Sequence, residues 1–195
     1  MRMLRALYDR TMALAGHRHA NWALAAVSFI ESSVFLIPPD VMLIPMVLAQ
    51  RHKALLIATI CTVASVLGGL LGYVIGLFLF DSIGQPILDF YSYGEKFASF
   101  QSRYNEWGVW IVLIAGLTPF PYKVITIASG VTGLSLPVFI IASIVARGAR
   151  FAIVAALLWK FGESIQNFIE RYLGILFTVF MALLIGGFAV VKLVL

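Results

Sequence analysis

The residues from 134 to 158 read LSLPVFIIASIVARGARFAIVAALL, a run that is apolar apart from two serines and two arginines. Its length exceeds the about 20 residues that a helix needs to cross a bilayer. Arg147 and Arg150 stand near its middle and are three residues apart, so they share one face of a helix. A charge at that depth costs about 2.5–3.5 kcal/mol on insertion scales and requires a partner or a cavity. The run therefore predicts a membrane helix whose two cations mark a functional centre.

The composition of the whole chain agrees with a membrane protein. Of 195 residues, 62% are hydrophobic and 12% are charged, whereas soluble domains are about 45–50% apolar and about 25% charged. The length suits one integral membrane domain. The net charge of +5 comes from bases scattered among apolar segments, which does not form the basic patch of a nucleic-acid-binding protein. Membrane lipids are the predicted partners.

Prolines divide the apolar segments into two kinds. The apolar segments cover residues 22–49, 54–80, 108–134, 136–159 and 172–195. The first contains Pro38, Pro39 and Pro45, and the third contains Pro119 and Pro121. Proline in a helix interior removes a hydrogen bond and clashes with the preceding turn, so these two segments are predicted to be broken.

The basic residues suggest how the broken segments lie in the membrane. Arg18 precedes the first segment, and Arg51 and Lys53 follow it. If this segment enters and returns, all three stay with a basic N-terminus in the cytoplasm, as the positive-inside rule requires. The third segment then re-enters from the opposite side. The predicted fold is an all-α membrane protein, an inverted repeat of two broken re-entrant helical hairpins plus about three spanning helices. Five full crossings are the alternative.

This topology divides a single integral membrane domain, residues 1–195, into five parts. They are an amphipathic surface helix over 1–20, a first repeat over 22–80, an extracytoplasmic loop over 81–107, a second repeat over 108–160 and a final transmembrane helix over 172–195. Gly68, Gly72 and Gly76 are spaced by four, which gives a smooth groove for close helix packing. Internal packing is favoured over a dimer interface, and homo-oligomerisation is left open.

Two carboxylates lie in the first broken segment. Glu31 precedes the predicted break at Pro38 and Pro39, and Asp40 follows it. Burial raises a carboxyl pKa and a neighbouring guanidinium lowers it, so an acid in this setting can exchange protons. Glu31 and Asp40 are therefore predicted proton-coupling residues. The alternative is that they form structural ion pairs with the two arginines.

The second broken segment supplies a third cation. Lys123 follows Pro119 and Pro121, and Gly130 lies further along the same segment as a predicted helix break or hinge. Its side chain either snorkels to the interface or points into a cavity, which we favour. Guanidinium groups match phosphate geometry, so Arg147, Arg150 and Lys123 together predict a phosphate or lipid site. Two acids against these three bases leave one positive charge, which favours an anionic ligand.

Other chemistries are not indicated. The three histidines lack the spacing of a zinc protease, and Cys61 is the single cysteine and lies in an apolar run. No histidine in the apolar segments is available to activate a serine. The sequence therefore predicts no metal, no cofactor and no enzymatic activity.

These residues resemble the DedA family, also described by its SNARE-associated or VTT domain, and in particular its YqaA-like branch. The resemblance covers about residues 25–160. It rests on Glu31, Pro38-Pro39-Asp40, Gly68 to Gly76, Leu117-Thr118-Pro119-Phe120-Pro121-Tyr122-Lys123, Ala128-Ser129-Gly130 and Trp159. The resemblance implies a multi-pass bacterial inner-membrane protein with two opposed re-entrant hairpins, which moves lipids such as undecaprenyl phosphate or phospholipids between leaflets and is driven by protons.

By the same resemblance, Glu31 and Asp40 match the family's membrane acids, and Lys123 matches the second of two arginines that bracket a proline. Ala115, Gly116 and Leu117 occupy the place of the first arginine. The favoured hypothesis is a lipid flippase or scramblase that binds a lipid phosphate, with its N-terminus in the cytoplasm. A proton-coupled carrier of a small soluble solute and a non-transporting assembly factor are the alternatives.

Overall fold

The computed structural model describes residues 19–34, 38–118 and 120–162 together with residue 164, and these residues are almost entirely helical and include no strand. The helices are α1 (Ala20–Ser33), α2 (Asp40–Ala49), α3 (Ala54–Leu79), α4 (Gln85–Tyr91), α5 (Gly94–Leu117), α6 (Tyr122–Val131) and α7 (Leu136–Gly162). A 3-10 turn, Arg51–Lys53, precedes α3 and a π-helical turn, Phe80–Gly84, follows it. The predicted surface helix over 1–20, apart from its last two residues, and the predicted final helix over 172–195 lie outside the described residues.

Two helical runs among the described residues are long and apolar enough to cross a membrane. They are Arg51–Tyr91, which contains α3, and Leu136–Gly162, which is α7. Both present large apolar side chains outward: Leu55, Leu56, Val63, Leu67, Val74 and Phe78 on α3, and Ile141, Ile144, Val145, Ile153 and Leu157 on α7. Contiguous apolar surface of this kind suits hydrocarbon rather than water. The fold is that of an all-α membrane protein.

The first broken segment forms a helical hairpin. α1 and α2 have 14 and 10 residues, so they extend about 21 and 15 Å, and neither alone crosses a hydrocarbon core of about 30 Å. Leu24 near the start of α1 packs in one apolar cluster with Leu43 and Val47 of α2. α2 therefore runs back along α1. The break predicted at Pro38 and Pro39 is confirmed, whereas Pro45 lies inside α2 and does not interrupt it.

The second broken segment forms a similar hairpin. α5 ends at Leu117 and α6 begins at Tyr122, directly after Pro121; Pro119 lies outside the described residues. The side-chain amides of Gln101 and Asn105 on α5 donate to the Thr132 carbonyl, which follows α6, at 2.8 and 3.0 Å. α6 therefore returns along α5, and the break predicted beside Pro121 is confirmed.

The prediction that Gly130 is a break is wrong. Gly130 lies inside α6, where a Cβ atom would stand 2.0 Å from the carbonyl oxygen of Tyr73. Its role is therefore close helix packing against α3. The chain reverses after α6 at Gly133, whose φ is +62°, a conformation that glycine adopts without steric cost.

Gly68, Gly72 and Gly76 of α3 allow both hairpins to pack closely against this helix. A Cβ atom on Gly68 would lie 2.1 Å from the carbonyl oxygen of Phe29 in α1, and one on Gly76 would lie 2.1 Å from that of Ile127 in α6. Gly72 faces the side chain of Thr126 in α6. The predicted internal packing groove is confirmed, because backbones of this chain occupy it.

Gly68→Ala is expected to lower the free energy of unfolding in detergent by about 1–3 kcal/mol, because its methyl group overlaps the backbone of α1. Gly94→Ala is the matched control, since nothing lies within 4 Å of its added methyl group. Thermal or denaturant unfolding followed by circular dichroism measures both. Equal stability of the two variants would contradict the packing role of Gly68.

The two hairpins have their open ends at opposite ends of α3. The start of α1 packs beside Ile57 at the beginning of α3. Tyr104 of α5 packs in a cluster with Tyr73 near the end of α3 and with Leu134. α7 runs antiparallel to α3, because Tyr73 contacts Phe139 at 5.3 Å between ring centroids, whereas the earlier residue Ser65 contacts the later residue Arg147. The tips of the hairpins therefore meet beside the middle of α3.

The connection between the two repeats differs from the predicted loop over 81–107. It is helical except at Ser92 and Tyr93, since it comprises the π-helical turn, α4 and the first half of α5. The stacked rings of Phe80 and Phe97, with centroids 4.9 Å apart, connect the π-helical turn to the first half of α5.

Candidate functional site

The two hairpin tips contact each other through polar groups. Lys123, in the first turn of α6, donates from Nζ to the carbonyl oxygen of Val34 at 3.2 Å, directly after α1. The hydroxyl of Thr126 lies 3.2 Å from the carbonyl oxygen of Ser32. Carbonyls at the end of a helix have no intrahelical donor, so they are available to such side chains. The breaks in the two segments thus create the acceptors that Lys123 and its neighbours use.

Arg147 forms a buried ion pair with Glu31. Its Nη2 lies 2.8 Å from Glu31 Oε2, and the side chains are 1% and 15% exposed. Its Nε donates to Ser65 Oγ at 2.6 Å, and Ser65 Oγ lies 2.7 Å from Ser32 Oγ. Ser32 Oγ also donates to Glu31 Oε2 at 3.0 Å. Arg147 therefore ties α7 to α1 and α3 through one continuous polar network.

Aromatic rings enclose the guanidinium of Arg147. Its Cζ lies 4.8 Å from the ring centroid of Tyr122 and 4.7 Å from that of Phe151. Both rings are fully buried, and the Tyr122 hydroxyl donates to Ser143. Cation–π contacts strengthen when the cation is desolvated, as it is here. Arg147 is fully buried and packs against two aromatic rings, so it is closed to a ligand in this conformation.

Arg150 forms a second, more open ion pair with Asp40. Its Nη2 lies 2.7 Å from Asp40 Oδ2, and the side chains are 20% and 23% exposed. Its Nη1 donates to the carbonyl oxygen of Thr118 at 3.2 Å. Since Asp40 follows the first tip and Thr118 lies in the second, Arg150 links both hairpins to α7.

The site brings together all five predicted charged residues, whose side chains differ in exposure. Glu31 pairs with Arg147 and Asp40 pairs with Arg150. Lys123, which is partly exposed, has no ion pair within the described part of the chain. Exposed apolar residues adjoin it: Val34, whose carbonyl it contacts, is 60% exposed, and Val124, the next residue along α6, is 41% exposed. The accessible part of the site is therefore Lys123, Arg150 and Asp40.

Several contributors to the site carried no prediction. Ser65 and Phe151 complete the surroundings of Arg147, and Tyr122 belongs to the proline-containing sequence motif without a predicted role of its own. Phe151 follows Arg147 by four residues, so helical spacing placed it on the same face. Ser65 gave no comparable signal, because a hydroxyl in an apolar helix often bonds to its own backbone.

The described residues contain no cluster of three His, Cys, Asp or Glu side chains that could hold a metal ion. Cys61 is fully buried in the apolar cluster beside α1, α2 and α7. It packs there as a small hydrophobic residue.

Fold and site together define an all-α membrane protein whose polar centre is built from ion pairs between a broken helical segment and a long helix. The sequence profile of the VTT domain matches residues 37–160, which is more than half of the chain. The chain belongs to the VTT-domain family, which is the family of the DedA proteins. The matched region includes Asp40, Lys123, Arg147 and Arg150, whereas Glu31 precedes it.

Two bacterial relatives are similar along most of their length. An uncharacterised protein of Haemophilus influenzae is 40% identical over 174 residues, which cover 87% of this chain and 90% of that protein. An uncharacterised protein of Histophilus somni is also 40% identical over 174 residues, which cover 87% of this chain and 91% of that protein. No solved structure matches the chain.

Proposed function

We propose that this protein is a lipid translocase, a flippase or scramblase, for a phosphate-bearing lipid such as a phospholipid or undecaprenyl phosphate. The observation that carries the proposal is the position of Lys123 and Arg150. Each cation contacts a backbone carbonyl at a hairpin tip, and the exposed apolar residues Val34 and Val124 adjoin Lys123. A ligand that suits this place has an anionic head and an apolar tail.

In this proposal the two hairpins are re-entrant and enter the bilayer from opposite faces. The lengths of α1, α2 and α6 support it, because none of them alone crosses the hydrocarbon core. Broken backbone at membrane depth is tolerated where protein or a polar cavity surrounds it. We place the protein in the bacterial inner membrane with its N-terminus in the cytoplasm; the bacterial relatives and the basic residues on the flanks support this placement.

The binding step exchanges one set of oxygen acceptors for another. Lys123 donates to Val34 O, and Arg150 donates to Thr118 O and Asp40. Phosphate oxygens carry negative charge, so they attract the two cations more strongly than the neutral carbonyl oxygens do. A lipid phosphate that displaces the two carbonyls therefore loosens the contact between the tips, through which the head group passes.

The acids have different parts in this proposal. Asp40 is partly exposed and shares Arg150 with the lipid phosphate, whereas Glu31 is enclosed with Arg147. Both remain the proposed proton-coupling residues. Arg147 belongs to the proposed phosphate site as the cation that Glu31 holds in place, and it reaches a ligand only if that pair opens.

Purified protein in liposomes tests the proposal. The lipid carries a fluorophore on an acyl chain and a native phosphate head group, and a membrane-impermeant quencher reports the outer leaflet. We expect protein to expose the inner-leaflet pool faster than protein-free liposomes do, with and without a proton gradient as separate arms. Flux of a small anion without lipid movement would replace the proposal by a solute carrier. Absence of any movement under either condition would favour an assembly factor.

A further inference from the structure

The charges at the hairpin tips do not cancel. The enclosed pair of Glu31 and Arg147 is neutral, and the open pair of Asp40 and Arg150 is neutral. Lys123 adds one positive charge, and its recorded partner is the uncharged carbonyl of Val34. Within the described residues, the accessible site therefore has a net charge of +1, made of two cations and one anion.

Asp40 competes directly with a ligand for Arg150. Its Oδ2 accepts a hydrogen bond from Nη2 of the guanidinium at 2.7 Å, while Nη1 donates to the Thr118 carbonyl. A phosphate that binds Lys123 and Arg150 from the open side can replace that carbonyl, but it must then lie close to the Asp40 carboxylate. The repulsion between the carboxylate and the phosphate increases with each negative charge that the phosphate carries.

We infer that Asp40 is a specificity-determining residue that sets the head-group charge which the site accepts. A phosphodiester head group carries one negative charge, so it brings the site to neutrality. A phosphomonoester carries about −1.5 to −2 at pH 7, so it leaves excess negative charge beside Asp40 in a poorly solvated place. This inference rests on the proposed function, and it ranks phospholipids with one phosphate charge above a phosphomonoester such as undecaprenyl phosphate.

The test compares two lipids with the same acyl chains. Phosphatidylglycerol is a phosphodiester with one charge, and phosphatidic acid is a phosphomonoester. Competition binding to the full-length protein in nanodiscs of uncharged lipid gives the ratio of the two affinities. The wild-type protein is expected to prefer phosphatidylglycerol. Asp40→Asn removes one negative charge, keeps the shape and is expected to shift the ratio toward phosphatidic acid at least about tenfold.

Asp89→Asn is the matched control. Asp89 lies exposed on α4 outside the site, so the same chemical change there is expected to leave the ratio unchanged. Glycerol 3-phosphate, which has the head group without the tails, is added as a competitor in a separate arm. Weak competition assigns the site to lipid, whereas competition equal to that of phosphatidic acid overturns a lipid ligand.

A second variant covers the case in which Asp40→Asn does not fold. Lys123→Met lowers the site charge from +1 to zero and is expected to shift the ratio further toward phosphatidylglycerol. If both lipids bind and neither variant changes the ratio, the inference on Asp40 is overturned while the proposed lipid site stands. If neither lipid binds the wild-type protein, the proposed function is overturned and the inference falls with it.

Discussion

Arg147→Met lowers the free energy of unfolding by about 3–5 kcal/mol, the expected result of breaking a buried ion pair by removing one partner. The substitution leaves the carboxylate of Glu31, which is 15% exposed, with the Ser32 hydroxyl as its one hydrogen-bond donor among the residues that the structure describes. It also removes the hydrogen bond that Arg147 Nε donates to Ser65 Oγ. Methionine fills the space between Tyr122 and Phe151 but supplies no charge.

The double variant Arg147→Met with Glu31→Gln separates the charge effect from the packing effect. Replacing both members of a buried pair by neutral groups is often nearly neutral for stability, so the double variant is expected to recover most of the loss. Unfolding in detergent by denaturant measures all three variants. Arg103→Met, an exposed arginine on α5, is the control for loss of an arginine. A double variant as unstable as the single one would show that the ion pair is not the cause.

The arginine pair in the apolar run was the most informative feature of the sequence. Its helical spacing predicted one shared face, and the cost of a charge in hydrocarbon predicted a partner for each arginine, with ion pairs to Glu31 and Asp40 as the alternative to a phosphate ligand. The structure shows these ion pairs, since Arg147 and Arg150 each have a carboxylate partner. The sequence left open which acid pairs with which arginine, because that depends on how two hairpins from distant parts of the chain pack against α3.

The proline positions predicted the breaks at 38–39 and beside 121, because proline acts locally on the backbone. Proline does not end every helix, since Pro45 of the same segment lies inside α2 without interrupting it. Gly130 was misassigned for a related reason. A glycine in an apolar segment indicates either a turn or a close approach, and only the neighbouring carbonyl of Tyr73 shows which one applies.

The difference in access between the two arginines could not be predicted, because it arises from tertiary packing. The rings of Phe151 and Tyr122 pack against the buried guanidinium of Arg147, while Arg150, three residues further along α7, retains 20% exposure of its side chain. The two arginines therefore have different roles. Arg147 supports the fold around Glu31, and Arg150 is accessible to the ligand that we propose.

Arg150→Ala is expected to reduce lipid exchange between leaflets about 10–150-fold, with a smaller loss of stability than Arg147→Met. The reason is that a hydrogen bond to a charged group contributes about 1.5–3 kcal/mol, and about 1.4 kcal/mol corresponds to a factor of ten. Removing Arg150 leaves a more exposed carboxylate than removing Arg147 does, since the side chain of Asp40 is 23% exposed and that of Glu31 is 15% exposed. The liposome assay gives the exchange rate, and unfolding of the same preparation gives the stability.

Two further variants on α7 test whether the effect on lipid exchange is specific to the guanidinium of Arg150. Arg150→Lys keeps the charge but lacks the planar fork that meets two acceptors, so an intermediate exchange rate is expected. Lys160→Ala removes an exposed cation at the far end of α7 and is expected to exchange lipid like the wild type. The decisive comparison is activity at equal folded fraction. If Arg150→Ala is folded and exchanges lipid at the wild-type rate, Arg150 does not bind the head group, and the open ion pair serves the fold as Arg147 does.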